Sequence, residues 1–125
     1  MAFASIASPA ASIEHPEQAW GFYGHRLALY RATVPNPGVA LPQRWGARMP
    51  HRCGVFTSDV DGQFQQAGFD EDLIEECHGS IHFLQCMTPC TQAIWRADNF
   101  LPDVDDVHCL LNSALPACPA LRRSA

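Results

Sequence analysis

The clearest regular spacing of apolar residues lies in the first third of the chain. Apolar residues recur there at intervals typical of a helix with one buried face. They are Ala19, Trp20, Tyr23, Leu27 and Tyr30. Pro16 suits the first turn of such a helix, and the prolines and glycine of residues 34–38, VPNPG, end it. The pattern therefore predicts a helix of about four turns with one buried stripe.

Farther along, the apolar pattern predicts a buried strand. A helical segment at residues 39–48 is weakened by Pro42, which lacks an amide donor and is tolerated only near a helix start. Residues 53–57, CGVFT, form a short apolar run that is typical of a buried strand, and the polar SDVDGQ segment after it predicts a turn. Because ligands bind at the carboxyl ends of strands in open α/β sheets, this turn is a candidate binding site.

The rest of the pattern predicts shorter elements and then a segment with little regular structure. A short helix is expected at residues 62–68, and the carboxylates of residues 70–72 favour another helix start before Leu73. A second strand is predicted at residues 81–84. From Cys86 onward, aliphatic residues come only in pairs among many Pro, Asp and small residues. This composition predicts a loop-rich module that needs a bound metal to hold its shape.

Length and charge restrict the classes of function. The 125 residues suffice for one domain at most. Eight Arg, no Lys and thirteen Asp plus Glu give a net charge of −5 without a basic stripe, so we expect no nucleic-acid partner. Residues 1–18 lack a positively charged start and a long apolar run, so we expect no signal peptide, no membrane partner and a cytoplasmic location. In that reducing compartment the six cysteines are expected to be thiols or metal ligands.

His78 is the strongest candidate for a catalytic residue. It lies in an HGS tripeptide after an acidic segment that we expect to be helical, and Gly79 allows a sharp turn that leaves the imidazole exposed. An imidazole titrates near neutral pH and can accept a proton from a sugar hydroxyl. A lone histidine is more often a surface or core residue, and spacing alone leaves this alternative open. A Cys77 nucleophile beside His78 also stays open, although adjacent side chains on an extended chain point in opposite directions.

Asp61 and the cysteines could bind ligands. The Asp61 carboxylate can accept hydrogen bonds from an amide group of a ligand, or it can cap the following helix. Cys86 and Cys90 form a CxxxC pair, and Cys109 and Cys118 raise the count to the four thiolates that tetrahedral Zn²⁺ takes. The alternative is that these cysteines are small buried apolar residues. The two remaining cysteines are expected to be packing residues: Cys53 and Cys77.

The segment from Thr57 to Cys90 resembles the catalytic centre of the sirtuins, which are NAD-dependent protein lysine deacylases. It reads TSDVDGQFQQAGFDEDLIEECHGSIHFLQCMTPC, and the likeness begins earlier, at SIASPAASIEHPEQAWGFYGHRLALYRATVPNPG. The chain is most similar to the bacterial type, over nearly its whole length. The resemblance implies an α/β fold, with a partial Rossmann-like parallel sheet over about residues 1–85 and an inserted small zinc-binding module over about residues 86–120.

The resemblance also implies roles for individual residues. His78 is implied as the general base that acts on the ribose, while the acyl group of lysine moves to ADP-ribose and nicotinamide is released. The residues implied in NAD binding are Thr57, Ser58, Asp59, Asp61 and His78. The implied zinc ligands are Cys86, Cys90 and Cys118; the fourth family ligand is missing, and Cys109, or the neighbouring His108, is expected to substitute because it is available. The implied cofactors are NAD and Zn²⁺, and the implied partner is an acetylated-lysine protein or peptide.

The chain departs from the family pattern at several points. Sirtuins typically read TSNVDGQ or TQNVDG where this chain has Asp59, so a carboxylate replaces an amide. The second cysteine pair normally reads CPxC, whereas Cys118 is followed by Pro119, Ala120 and Leu121. The GAGxS, DFR, GS(S/T) and NxD motifs that hold NAD do not occur. We therefore expect a sirtuin domain truncated at both ends, and the alternative function is a catalytically inactive fragment that acts as a zinc-binding interaction module.

Overall fold

The computed structural model describes residues 3–88 and 90–120. Its helices are α1 (Phe3–Ile6), α2 (Pro9–Glu14), α3 (Pro16–Ala32), α4 (Ala40–Gly46) and α5 (Gln63–Gln66), with 3₁₀ turns at Pro37–Val39 and Glu71–Leu73. Its strands are β1 (Val55–Thr57), β2 (Ile74–Glu76), β3 (Phe83–Gln85), β4 (Ile94–Arg96), β5 (Val104–Asp105) and β6 (Leu110–Leu111). These residues form two units. The first contains the residues up to Leu29 and from His82 onward, and the second is Tyr30–Ile81.

The predicted long helix is confirmed as α3, but small residues form much of its buried face. The buried residues are Ala19, Gly21, Gly24 and Leu27. A Cβ atom at Gly21 would collide with the carbonyl oxygen of Cys109, and one at Gly24 would lie 2.8 Å from the Cβ of Pro102. Tyr23, which the apolar stripe predicts to be buried, is 40% exposed. Gly21 and Gly24, which the apolar pattern does not include, are buried in its place, so the predicted stripe is right only in part.

The strands of the first unit form two separate antiparallel pairs. β3 pairs with β4, with Leu84 opposite Trp95, and β5 pairs with β6, with Val104 opposite Leu111. The predicted strand at residues 81–84 is therefore present but shifted toward the carboxyl terminus. In the described part of the chain after Cys86, the regular elements are strands of two or three residues. The predicted loop-rich character of this segment is confirmed.

The second unit is built around a parallel strand pair. β1 pairs with β2, with Val55 opposite Ile74 and Thr57 opposite Glu76, so a strand is present within the predicted residues 53–57. Its predicted burial is wrong, because Val55 and Thr57 are only half-buried and the side chain of Phe56 is exposed. The helix start predicted at the acidic residues 70–72 is right only in part: the Asp70 side chain accepts from the Asp72 amide as an N-cap, but no α-helix follows. A single 3₁₀ turn forms there, and the chain then enters β2 because β-branched Ile74 pairs well beside Val55.

The two helices of the second unit agree with the predicted positions. α4 covers much of the predicted segment 39–48, and Pro42 lies in its first turn, where the missing amide donor is not needed. α4 ends at Gly46, which lies directly against the Cβ of Cys53. α5 lies within the predicted segment 62–68.

At a coarse level, the mixture of helices and small sheets fits the α/β class. Parallel pairing within residues 3–88 and 90–120 is confined to β1 and β2, so the Rossmann-like sheet stays a prediction, as do the domain limits near residues 85 and 120. The buried hydrophobic residues of the described chain are Ala11, Ala19, Leu27, Phe69, Ala97 and Leu111. No helix in the described ranges has the length and apolar character needed to cross a membrane.

Candidate functional site

The carboxyl ends of β1 and β2 lie side by side and form what we term the exit edge, residues 58–61 and 77–81. Parallel pairing brings Thr57 opposite Glu76, so both strands leave the sheet at the same level. Beyond the strands, the amide of Cys77 donates to the Thr57 carbonyl over 3.0 Å. The amide of Ile81 donates to the Val60 carbonyl over 2.9 Å, and these two bonds hold the two segments together.

His78 occupies a tight turn at this edge. The amide of Gly79 donates to the Glu76 carbonyl over 3.0 Å, and Gly79 has φ +77°, a left-handed conformation that glycine adopts without a steric penalty. His78 is exposed, so its imidazole is accessible to a ligand. The sharp turn predicted from the HGS tripeptide is confirmed. Cys77 is also exposed, and its prediction as a packing residue is wrong because it lies on the same surface turn.

The other predicted NAD-binding residues lie on the β1 side of the exit edge. The hydroxyl of Thr57 accepts a hydrogen bond from the amide of Asp59 over 3.0 Å, while the Asp59 side chain is exposed. Ser58, between them, is exposed as well. The Asp61 carboxylate accepts from the amide of Gln63 over 3.1 Å, at the start of α5. The N-cap residue of α5 is Gly62, and no side chain caps this helix, so the capping role left open for Asp61 is not observed; its carboxylate instead closes a turn just before α5. The fold brings Thr57, which ends β1, and Ser58, Asp59 and Asp61, which follow it, to the same edge of the parallel pair as His78.

Three of the four predicted metal-ligating cysteines form what we term the sulfur cluster, Cys86, Cys90 and Cys118. The Sγ atom of Cys90 lies 3.0 Å from that of Cys86 and 3.4 Å from that of Cys118, and all three lie within 4.8 Å of one another. Hydrogen bonding with Cys118, and then with Cys90, raises the pKa of the Cys86 thiol to about 12. Without a metal, Cys86 is therefore protonated at neutral pH.

The sulfur cluster is compatible with zinc. Thiolates are preferred zinc ligands, and a tetrahedral ion with Zn–S bonds of about 2.3 Å separates its sulfurs by roughly 3.8 Å. The two separations that involve Cys90, 3.0 and 3.4 Å, are somewhat shorter, so a bound ion requires a small outward movement of the Cys90 side chain. Two of the three ligands flank a short loop: Cys86 directly follows β3, and Cys90 lies four residues later.

The structure does not bring Cys109 or His108 into the sulfur cluster. Both lie in the turn between β5 and β6, where Cys109 has φ +56° and its amide donates to the Asp105 carbonyl over 2.7 Å. The Nδ1 atom of His108 lies 2.6 Å from an Asp105 carboxylate oxygen. The other carboxylate oxygen accepts from the amides of Val107 and His108.

Asp105 is a structural residue that the sequence reasoning missed. Its hydrogen bond with the His108 side chain, followed by those from the backbone amides, holds the pKa of the carboxyl below its usual range. The sequence does carry a signal for it. Asp105 lies two residues before Val107 and three before His108, and this spacing is typical of turns in which an aspartate accepts from the amides that follow it. The half-buried Cys53 contacts Gly46, consistent with its predicted packing role.

Comparisons with known proteins identify related chains across most of this sequence. It is similar to NAD-dependent protein deacylase 1 of Pseudomonas aeruginosa, with 31% identity over 117 residues, which cover 94% of this chain and 44% of the relative. An NAD-dependent protein deacylase of Thermococcus sibiricus is 29% identical over 115 residues, or 91% of this chain and 42% of the relative. Mitochondrial NAD-dependent protein deacylase sirtuin-5 of Danio rerio is 28% identical over 86 residues, or 66% of this chain and 28% of the relative.

The matches cover only part of each relative. The chain spans less than half the length of each of these three curated proteins. No protein-family model matches the chain.

Proposed function

Because this chain belongs to the sirtuin family, as its similarity to several NAD-dependent protein deacylases shows, we propose that it takes part in NAD-dependent protein lysine deacylation. In this reaction an acyl group passes from lysine to the ADP-ribose part of NAD, and nicotinamide is released. The proposed partner is an acylated, most simply acetylated, lysine in a protein or peptide. The proposed location is the cytoplasm.

One observation carries the proposal: the exit edge holds an exposed imidazole next to a polar turn. His78 follows β2, and Asp59 and Asp61 follow β1, while the hydrogen bond from Ile81 to Val60 links the two segments. We assign His78 as the base that takes a proton from a ribose hydroxyl. Its exposure allows a sugar to reach the ring, and imidazole has a basicity suited to this step near neutral pH.

The polar turn after β1 is assigned to the nicotinamide side of the cofactor. Thr57 and Ser58 carry hydroxyls that can donate to or accept from the cofactor. Asp61 is fixed by its bond to the Gln63 amide, so a carboxylate with a defined position is present for the nicotinamide amide. Asp59 opposes this role, because an exposed negative charge beside a reacting sugar and diphosphate weakens the binding of an anionic cofactor.

We assign a structural Zn²⁺ ion to the sulfur cluster. The three thiols converge on one point, and when bound there the ion would link the segment after β3 to the segment around Cys118. Short loop-rich segments gain much of their stability from such a cross-link. The ion has no assigned part in the chemistry of deacylation.

A second candidate is a catalytically inactive zinc-binding interaction module. Asp59 favours it, because a carboxylate stands where the family has an amide at the nicotinamide side. Calorimetric titration with NAD separates the two candidates. Saturable binding supports the deacylase, whereas a chain that is folded and metal-loaded but shows no heat of NAD binding supports the interaction module.

The catalytic assignment is tested with an acetyl-lysine peptide, NAD and a readout of nicotinamide release. We expect His78→Ala to lower turnover by about a hundredfold or more, the usual contribution of a general base. His51→Ala, which removes another exposed imidazole of the same unit, should leave turnover unchanged. Turnover that survives in the His78 variant would assign the base to another residue.

A further inference from the structure

The sulfur cluster provides three donors, and the fourth position of a tetrahedral ion remains to be filled. Within residues 3–88 and 90–120, no further Cys, His, Asp or Glu side chain joins the group. Residues 1–2, 89 and 121–125 contain none of these four residue types. The cysteine and the histidine nearest to Cys118 in the sequence are Cys109 and His108.

The backbone of Cys109 is held away from the sulfur cluster. Its amide is bonded to the Asp105 carbonyl over 2.7 Å, and its carbonyl oxygen lies directly against Gly21 of α3. Its left-handed conformation, φ +56°, is uncommon for a residue with a Cβ and is maintained by these contacts. Delivering the Cys109 thiol to the cluster would require the β5–β6 turn to detach from the helix.

His108 is held by the same turn. Its Nδ1 atom is 2.6 Å from one Asp105 carboxylate oxygen, and its amide bonds the other. Both His108 and Cys109 line a cavity whose other walls are Gln18 and three apolar residues, Phe3, Ile6 and Phe22. The contacts of this one turn, centred on Asp105, thus keep the imidazole of His108 and the thiol of Cys109 out of the sulfur cluster.

We infer that the sulfur cluster is a three-thiolate zinc site with one open coordination position, which water occupies and which an external neutral imidazole-type donor can take. This inference rests on the zinc assignment in the proposed function. Cys90, Met87 and Thr88 are exposed, so solvent and small ligands can reach the centre. Three thiolates on Zn²⁺ leave a charge of +2 − 3 = −1, and the chain carries −5 in total, so a neutral nitrogen donor is favoured over another anion.

Cobalt substitution tests the open position on the chain of residues 1–125. Co²⁺ in a tetrahedral thiolate site absorbs visible light, and the band positions depend on all four donors. We expect one equivalent of Co²⁺ to bind, and free imidazole to shift the visible bands in a saturable and reversible way. X-ray absorption on the zinc-loaded chain should give three sulfur donors and one lighter donor, with Zn–S distances of about 2.3 Å.

Matched variants identify the ligands. Cys118→Ser should weaken Co²⁺ binding by at least about tenfold, because a thiolate is lost from the site. Cys109→Ser and His108→Ala should leave both the bands and the response to imidazole unchanged. The wild-type response to imidazole tests the inference even if a variant does not fold.

The possible contrary results are distinguishable. Four sulfur donors in the wild type, or a response to imidazole that appears only in Cys109→Ser, would overturn the open position but leave the zinc site intact. Absence of Co²⁺ and Zn²⁺ binding by folded protein would overturn both the zinc assignment and this inference. Loss of deacylation alone would test neither the zinc assignment nor the open position, because both are measured by spectroscopy.

Discussion

At the scale of single residues, Asp59 is the position where this chain differs most meaningfully from the sirtuin pattern. The side chain is exposed at the exit edge, and its backbone amide is already bonded to the Thr57 hydroxyl. An asparagine there would keep the shape of the side chain, add an N–H donor and remove one negative charge. The local backbone has no need of the carboxylate, so its effect should fall on the cofactor.

We therefore expect Asp59→Asn to tighten NAD binding by about three- to fivefold, as exposed charges interact with energies near 1 kcal/mol or less. Calorimetric titration at low ionic strength measures the change. Asp72→Asn is the matched control, because it removes the same charge from an exposed residue at the opposite, amino end of β2. Equal effects of the two substitutions would mean that only the net charge matters.

At the scale of elements, the contact between α3 and the β5–β6 segment depends on Gly21. Glycine in a helix interior usually costs about 1 kcal/mol relative to alanine. Here a methyl group would meet the backbone of Cys109, which cannot rotate away as a side chain could. We expect Gly21→Ala to destabilise the chain by about 2 kcal/mol through overpacking.

Urea denaturation measures this difference, and Gly54→Ala is its control. A Cβ at Gly54 would be 3.6 Å from its nearest neighbour, an ordinary contact, so that substitution should be tolerated. A stabilised Gly21→Ala variant would show that helix propensity outweighs the close approach and that the β5–β6 segment moves.

The β5–β6 turn should be sensitive to acid through Asp105. Its pKa is lowered in the folded chain, first by the His108 side chain and then by two backbone amides. A lowered carboxyl pKa contributes stability above the ordinary value of about 3.9, and this contribution is lost as the pH falls through the folded value. We expect the wild type to be more stable than Asp105→Asn at neutral pH and the two to converge in acid.

Urea titrations of the metal-free chain across this acid range measure the convergence. Asp103→Asn is the control, because it removes an exposed carboxylate directly before β5. A constant difference between wild type and Asp105→Asn at every pH would mean that the shape of the side chain matters and its charge does not.

The sequence predicted those elements that depend on local signals. Pro16 marks the start of α3, and the glycine after His78 marks the tight turn that exposes the imidazole. The type of the segment at Ile74 could not be read locally, because the acidic residues favour a helix start and the strand depends on pairing with distant Val55. The burial of Gly21 was hidden for the same reason, since its partner lies almost ninety residues away along the chain.

The candidate site also combines features that local sequence predicts with features that depend on contacts between distant residues. The positions of Cys86 and Cys90 follow from their spacing, whereas the exclusion of Cys109 from the sulfur cluster depends on the turn organised by Asp105. Counting cysteines in the sequence offers Cys109 as a fourth ligand, but the count does not say whether the folded chain brings its thiol to the other three. Three-dimensional contacts therefore change the expected metal centre from four sulfur ligands to three.

At the scale of the whole molecule, few large side chains are buried and many are exposed. Phe69 is the one aromatic residue among the buried hydrophobic residues of the described chain, while Trp45 is 59% and Phe56 is 75% exposed. Burial of apolar area is the main source of folding free energy, at roughly 25 cal/mol for each Å². This distribution indicates a small hydrophobic contribution to folding, so binding of a metal ion should have a large effect on stability.

Zinc binding and pH should be coupled through the sulfur cluster. In the metal-free fold the pKa of Cys86 is raised to about 12, so its thiol stays protonated while the unfolded thiol ionises near the ordinary value of 9.0. Because the pKa of Cys86 is higher in the folded chain than in the unfolded chain, the hydrogen-bonded thiol stabilises the fold below pH 9, and this stabilisation is lost as the pH rises toward 12. Zinc requires the thiolate, so each ion that binds at neutral pH must release at least the Cys86 proton.

We therefore expect the apparent zinc affinity to rise by at least about tenfold per pH unit between about pH 6 and 8, since each released proton contributes one factor of ten. Competition with a chromophoric chelator measures the slope, and calorimetry in two buffers of different ionisation enthalpy counts the protons. Cys86→Ser should bind zinc more weakly and release fewer protons, whereas Cys109→Ser should match the wild type in both respects. An affinity independent of pH would mean that the cluster is already ionised before the metal arrives, and the hydrogen bonds between its sulfurs could then not be those of neutral thiols.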